Sequence, residues 1–183
     1  MVAKKRKVWL TKPQVDRILE LAKADGEGPY LLLSLMRYGL RVGEITGERG
    51  LPGIDVSDLR PLGIWVKGKG FARGIVQDRL VSMPPVLMEA IRTFAPKRGS
   101  LFGLSCRTAE NMVKEYARRA GVEDWQLVSP HRLRAFFATD LKDRGKDAFT
   151  IRDLMRHKNI TTTNLYVGVT SPEQASKIME SLT

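Results

Sequence analysis

The side chains best suited to chemistry in this chain are its two histidines and the arginines around them. His131 lies in Ser129-Pro130-His131-Arg132-Leu133-Arg134, and His157 in Leu154-Met155-Arg156-His157-Lys158. On a helix, a spacing of three places His131 and Arg134 on one face. A guanidinium gives two parallel hydrogen bonds to phosphate oxygens and an imidazole exchanges a proton near neutral pH, so the pair suits phosphoryl chemistry. A lone His-x-x-Arg is a weak motif, and a polar helix face is its blander explanation.

Three further signals sit elsewhere. Tyr166 follows His157 across Asn159-Ile160-Thr161-Thr162-Thr163, a β-branched run that argues for a turn aiming both side chains at one point. Tyr30, Tyr38 and Tyr116 fall in helical apolar patterns, whereas Tyr166 has small, polar and β-branched neighbours; packing beneath a last helix is the alternative for it. In Tyr38-Gly39-Leu40-Arg41-Val42-Gly43-Glu44, a glycine turn delivers Arg41 to the start of a short helix, whose N-terminus would favour an anion. Glu44 either holds that guanidinium or caps the helix. In Gly68-Lys69-Gly70 a lysine at a hairpin tip could close on a phosphate or simply stay solvated.

The elements that must position these groups are mostly helical. Thr11, Pro13 and the set Val15, Ile18, Leu19 and Ala22 predict a capped helix ending near Gly26, and a second helix runs from about Pro29 to Tyr38. A Gly- and Pro-rich loop, Gly47 to Pro61, precedes two predicted strands, Ile64 to Lys67 and Ile75 to Val81, in one short antiparallel sheet. Helices are then expected over Pro85 to Phe94, Thr108 to Ala120, Pro130 to about Arg144, Ala148 to Arg156, and from the capping box at Ser171 towards Ser181. The fold class is α+β, mostly α-helical with a small antiparallel β-sheet.

Composition narrows the partner. The 183 residues carry a net charge of +11 and a pI near 10.0, which favours a polyanion through counterion release. With 43% hydrophobic residues the chain can bury a core, and no apolar run approaches the roughly 20 residues of a membrane-spanning helix; charge alone does not separate nucleic acid from anionic lipid, and of the two no membrane partner is expected. The start, MVAKKRKVWL, has no secretory pattern, and the single Cys106 permits no internal disulfide. An intracellular, cytoplasmic or nucleoid setting fits. Residues 1–8 read as a basic tail, with Lys4 to Lys7 a DNA-contacting arm, a nuclear localisation signal or merely a solvated segment. Residues 9–183 read as one folded unit. Asp55 with Asp58 and Glu123 with Asp124 look like loop or capping acids, and neither a metal nor a cofactor is expected. Lys114, Arg118 and Arg119 on one helix are candidate contacts to a DNA backbone, as are Lys67, Arg73, Arg132, Arg156 and Lys158.

In that order and with those local contexts, Arg41, Lys69, His131, Arg134, His157 and Tyr166 resemble the catalytic set of the tyrosine recombinase (integrase) family. The resemblance rests on Gly-Leu-Arg-x-x-Glu, Gly-Lys-Gly, His-x-x-Arg and a terminal His-x8-Tyr, and runs from about Trp9 to Tyr166. Two departures stand out: Arg156 occupies the place where the family commonly has Gly before the second histidine, and Gly47 to Gly53 reads as a short insertion.

The resemblance implies the family's catalytic-domain fold and a metal-independent strand transfer. The Tyr166 hydroxyl would attack a scissile phosphodiester, forming a 3′-phosphotyrosyl link and releasing a 5′-hydroxyl. His131 would accept the phenol proton, Lys69 would protonate the departing oxygen and His157 would hydrogen-bond a non-bridging oxygen. Arg41 and Arg134 would clasp the phosphate, with Glu44 in support. The implied partners are a duplex DNA recombination site and further copies of the chain, dimer to tetramer; the tail from Val167 to Thr183 has Ile178, Met179 and Leu182 to bury, either on its own core or against a neighbouring subunit, with exchange between protomers slightly favoured. The family's N-terminal core-binding domain is expected to be absent. Two other readings remain: a type IB topoisomerase-like DNA-relaxing enzyme, and a non-catalytic DNA-binding module.

Overall fold

The computed structural model describes residues 8–48, 50–67, 79–156 and 172–182. Helix α1, Lys12–Asp25, begins where the Thr11 amide donates to the Gln14 side chain at 2.9 Å, and it buries Val15, Ile18 and Ala22 along one face. Gly26 separates it from α2, Glu27–Arg37, in which every residue from Leu31 to Arg37 is buried. Such a helix, buried on all sides, belongs at the centre of a fold; α2 packs against α1 and against α4, Pro85–Phe94, and α6, Pro130–Asp143.

The end of α2 aims the chain at the site. Gly39 has φ +91°, and a Cβ there would lie 2.7 Å from the Phe137 ring, so both backbone and space demand glycine. After it come α3, Val42–Thr46, and a small hairpin of β1, Gly47–Glu48, with β2, Leu51–Pro52. The three-stranded antiparallel sheet is β3, Leu59–Arg60, then β4, Gly63–Val66, then β5, Arg79–Ser82, with Ile64 opposite Val81. The described residues thus hold two small sheets where one was predicted. The second is the Gly47 to Gly53 segment folded on itself, with Gly47 and Gly50 both at positive φ.

Helix α5, Cys106–Arg119, starts from Ser105, whose hydroxyl accepts from the Thr108 amide at 3.1 Å. Helix α7, Ala148–Met155, starts from Asp147, whose carboxylate accepts from the Phe149 and Thr150 amides. The last helix, α8, Pro172–Glu180, lies beside β5 and α4. Met179 and Leu182 close over Phe137, Leu141, Leu154 and Met155, and the Arg144 guanidinium donates to the Ser181 carbonyl at 2.6 Å. Of the two places open to the tail, the single chain shows the first: α8 covers apolar surface of its own α6 and α7. Each such large side chain stabilises by about 1.5–3 kcal/mol when fully buried. No helix among the described residues is long and apolar enough to cross a membrane.

Candidate active site

Pro130 opens α6 and leaves His131 and Arg134 in its first two turns. His131 stays exposed, whereas Arg134 is only 2% exposed because Leu133, Phe136 and Phe137 pull that part of the helix into the core. Arg134 Nη2 donates to the Met155 carbonyl. Its Nη1 is buried and has no hydrogen-bond partner among the described residues.

Arg41 comes to the same place from the other side of the core. Extended backbone at Arg41 precedes α3, and the Glu44 carboxylate folds back to take both the Arg41 amide and its guanidinium, each at 2.7 Å. Glu44 therefore caps the helix and also holds Arg41. Glu44 takes the Arg41 amide just before the five-residue α3, so an anion at that end would share it with a carboxylate. Arg41 Nη2 reaches the Arg156 carbonyl at 3.2 Å. The C-terminal end of α7 thus supplies two carbonyls, of Met155 and Arg156, as rests for the two arginines. A helix C-terminus leaves such carbonyls unpaired and carries partial negative charge, so it suits guanidinium donors. Sequence reasoning missed this role, although its signal was present in a helix ending just before His157.

Arg156 does not face solvent as a DNA contact would. Its side chain is 10% exposed, and its guanidinium donates to Glu44 at 2.7 Å and to the Gly39 carbonyl at 3.0 Å. A carboxylate 112 residues earlier in the chain draws it inward. Its backbone is left-handed, φ 53° and ψ 45°, a conformation that costs a residue with a Cβ roughly 1–2 kcal/mol and that glycine takes freely.

The electrostatics follow from this crowding. Arg41, Arg134 and Arg156 surround a single hydrogen-bonded carboxylate. Arg134 is pushed down to about 9, first by burial, then by Arg156 and Arg41, with Glu44 opposing. Arg156 is lowered by burial and by Arg41, again against Glu44. Burial alone would raise Glu44, but Arg156, the Arg41 amide and the Arg41 guanidinium together hold it below its usual range. Although His131 reaches the surface, partial desolvation of its ring, then Arg132, Arg134 and Arg41, push it below its ordinary value and favour the neutral imidazole near neutral pH.

Among the sequence-predicted site residues, the structure brings together Arg41, Glu44, His131 and Arg134, with Arg156 behind them. Lys69, Arg73, His157, Lys158 and Tyr166 lie outside the described residues. Lys69 and Arg73 belong to the connection between β4 and β5, and His157 directly follows Arg156. Lys67 is paired with Asp58 at 3.1 Å. Arg132 lies over the ring of Trp9, 5.8 Å from its centroid, and Trp9 is 63% exposed. On α5, Arg118 is paired with Glu115, Arg119 is paired with Asp25, and Lys114 has no ion pair among the described residues. No group of three or more His, Cys, Asp or Glu among the described residues is placed to hold a metal ion.

Comparison with known proteins identifies the family. Residues 8–173 match the model of the phage integrase family. Tyrosine recombinase XerA of Thermococcus kodakarensis is 31% identical over 192 residues, covering 94% of this chain and 64% of the relative. Tyrosine recombinase XerD of Caulobacter vibrioides is 32% identical, covering 87% of this chain and 57% of the relative. The chain therefore spans about three fifths of the length of these curated relatives. The crystal structure of XerA recombinase superposes with a TM-score of 0.69 at 26% identity, covering 98% of this chain and 66% of that one. By these matches and by the fold that places Arg41, His131 and Arg134 together, the chain belongs to the phage integrase family of tyrosine recombinases.

Proposed function

We propose that the chain is the catalytic part of a site-specific recombinase that cleaves and rejoins duplex DNA through a 3′-phosphotyrosyl intermediate. The observation that carries this reading is Arg134: a buried guanidinium with no hydrogen-bonded carboxylate, one donor unpartnered among the described residues, beside Arg41 and a neutral His131. A buried cation without its own counter-ion awaits an anion, and two preset guanidiniums stabilise a phosphate best when its charge grows in the five-coordinate transition state.

In the reaction, the Tyr166 oxygen bonds to phosphorus as the 5′ oxygen leaves. His131 takes the phenol proton and Lys69 gives one to the leaving oxygen, with His157 donating to a non-bridging oxygen. Water does not enter, so bond energy is kept for rejoining. The partners are a DNA recombination site and further copies of the chain on it, in an intracellular setting. The names of the relatives favour recombination over DNA relaxation.

The test is covalent capture on a nicked suicide substrate carrying candidate attachment sites. An SDS-resistant adduct is expected from the wild-type chain and none from Tyr166→Phe, which still binds DNA; an undiminished adduct from Tyr166→Phe would move the nucleophile elsewhere.

A further inference from the structure

Arg156 has no step of its own in the chemistry above, yet it is the most engaged cation in the site. Its guanidinium is held by Glu44 Oε2 at 2.7 Å and the Gly39 carbonyl at 3.0 Å, and its own carbonyl carries Arg41 at 3.2 Å. It is also the one non-glycine residue at positive φ among the described residues. The backbone at this point is best served by glycine, so the side chain must contribute something that offsets the strain.

Sharing of Glu44 is what the side chain adds. One oxygen, Oε1, takes the Arg41 guanidinium; the other, Oε2, takes the Arg41 amide and Arg156. A carboxylate divided between two cations neutralises each of them less than it would a single partner, because each cation also feels the other at short range. Without Arg156, Glu44 and Arg41 form a closed ion pair with which a phosphate must compete.

We propose that Arg156 is a positioning residue for strand cleavage: it takes up part of the charge of Glu44, so that the carboxylate orients Arg41 without cancelling the charge Arg41 offers to the scissile phosphate. This inference rests on the function proposed above and deepens it.

The experiment is single-turnover adduct formation on the suicide substrate at saturating DNA, with DNA affinity measured separately. Arg156→Gly relieves the backbone and is expected to slow adduct formation about tenfold, leaving affinity within about twofold, since the lost charge matters most in the transition state. Arg156→Lys keeps a cation beside Glu44 and is expected within about threefold of wild type. The decisive variant is Glu44→Gln. Alone it strands Arg156 without its counter-ion and slows the reaction; combined with Arg156→Gly it leaves a neutral amide orienting a fully charged Arg41, so the double variant is expected to be faster than Arg156→Gly. Multiplying losses in the double variant are what a merely structural role predicts, and they would overturn the proposal, as would a wild-type rate for Arg156→Gly or a loss confined to DNA affinity. If Arg156→Gly unfolds, Arg156→Gln supplies the same comparison. An unsubstituted chain that forms no adduct would instead defeat the functional reading itself, and this inference with it.

Discussion

Two buried arginines, Arg37 and Arg134, lie at similar depth, 7% and 2% exposed, and each has an Nη1 with no hydrogen-bond partner among the described residues. Their surroundings differ in charge. Arg37 Nη2 meets the Asp140 carboxylate at 2.7 Å, and its guanidinium lies over the rings of Tyr38 and Phe136. Among the described residues Arg134 hydrogen-bonds the Met155 carbonyl and no carboxylate, and its charged company is Arg156, Arg41 and, without a hydrogen bond, Glu44. An unpaired donor therefore does not mark a functional arginine by itself. The missing hydrogen-bonded carboxylate among the described residues does: Arg37 has one in Asp140 and Arg134 has none.

The sharpest way to break this comparison is to uncouple stability from chemistry at the two places. Asp140→Ala leaves Arg37 buried and uncompensated and removes a partner of Arg144, which lies 3.2 Å from Asp140. Breaking a buried pair in this way costs about 3–5 kcal/mol. Urea denaturation should show that loss, while the fraction still folded forms adduct at the wild-type rate. Arg134→Ala should do the reverse. Removing one preset donor to developing charge costs about 10²–10³-fold, or roughly 3–4 kcal/mol of transition-state stabilisation. Folding stability should fall by less than for Asp140→Ala, since a desolvated cation without a carboxylate is lost with the side chain. If Arg134→Ala unfolds the chain as readily as Asp140→Ala, Arg134 is a core residue like Arg37 and the contrast collapses.

What was legible in the sequence divides along the same line. Helix α4 has the predicted bounds, Pro85 to Phe94, because a proline at its first position and a regular apolar face are local signals. The motifs around Arg41 and His131 were legible for a similar reason, as short strings with a chemical rationale. The pairing of Arg37 with Asp140 and the inward turn of Arg156 were not, since each depends on a carboxylate more than 100 residues away. Charge beside a histidine suggested a DNA contact for Arg156, and only tertiary structure brings Glu44 near enough to turn it inward. The β1–β2 hairpin escaped because two-residue strands carry no periodicity to read.

A smaller effect concerns His131. Since burial and the cations around it lower its pKa, the neutral imidazole needed to accept the phenol proton persists below the ordinary histidine value of 6.5. Single-turnover adduct formation should therefore be flat through neutral pH and fall on acidification, tenfold per unit once His131 is protonated, with a midpoint below 6.5. His131→Ala should remove that acid limb. A midpoint above 6.5 would place a carboxylate, rather than guanidiniums, beside the imidazole.

The smallest effect lies on α5, where a third kind of arginine completes the comparison. Arg119 is partly exposed and paired with Asp25, whose carboxylate also accepts from the Tyr116 hydroxyl at 3.0 Å. Exposed pairs of this kind contribute less than about 1 kcal/mol, so Asp25→Asn should hardly change stability. It should, however, release Arg119 for a phosphate. If α5 lies against the DNA backbone, the variant binds duplex DNA more tightly at low salt, and the slope of log affinity against log salt steepens by about one. An unchanged slope would mean that Arg119, like Arg37, serves the fold: its ion pair ties α5 to α1, and the DNA runs elsewhere.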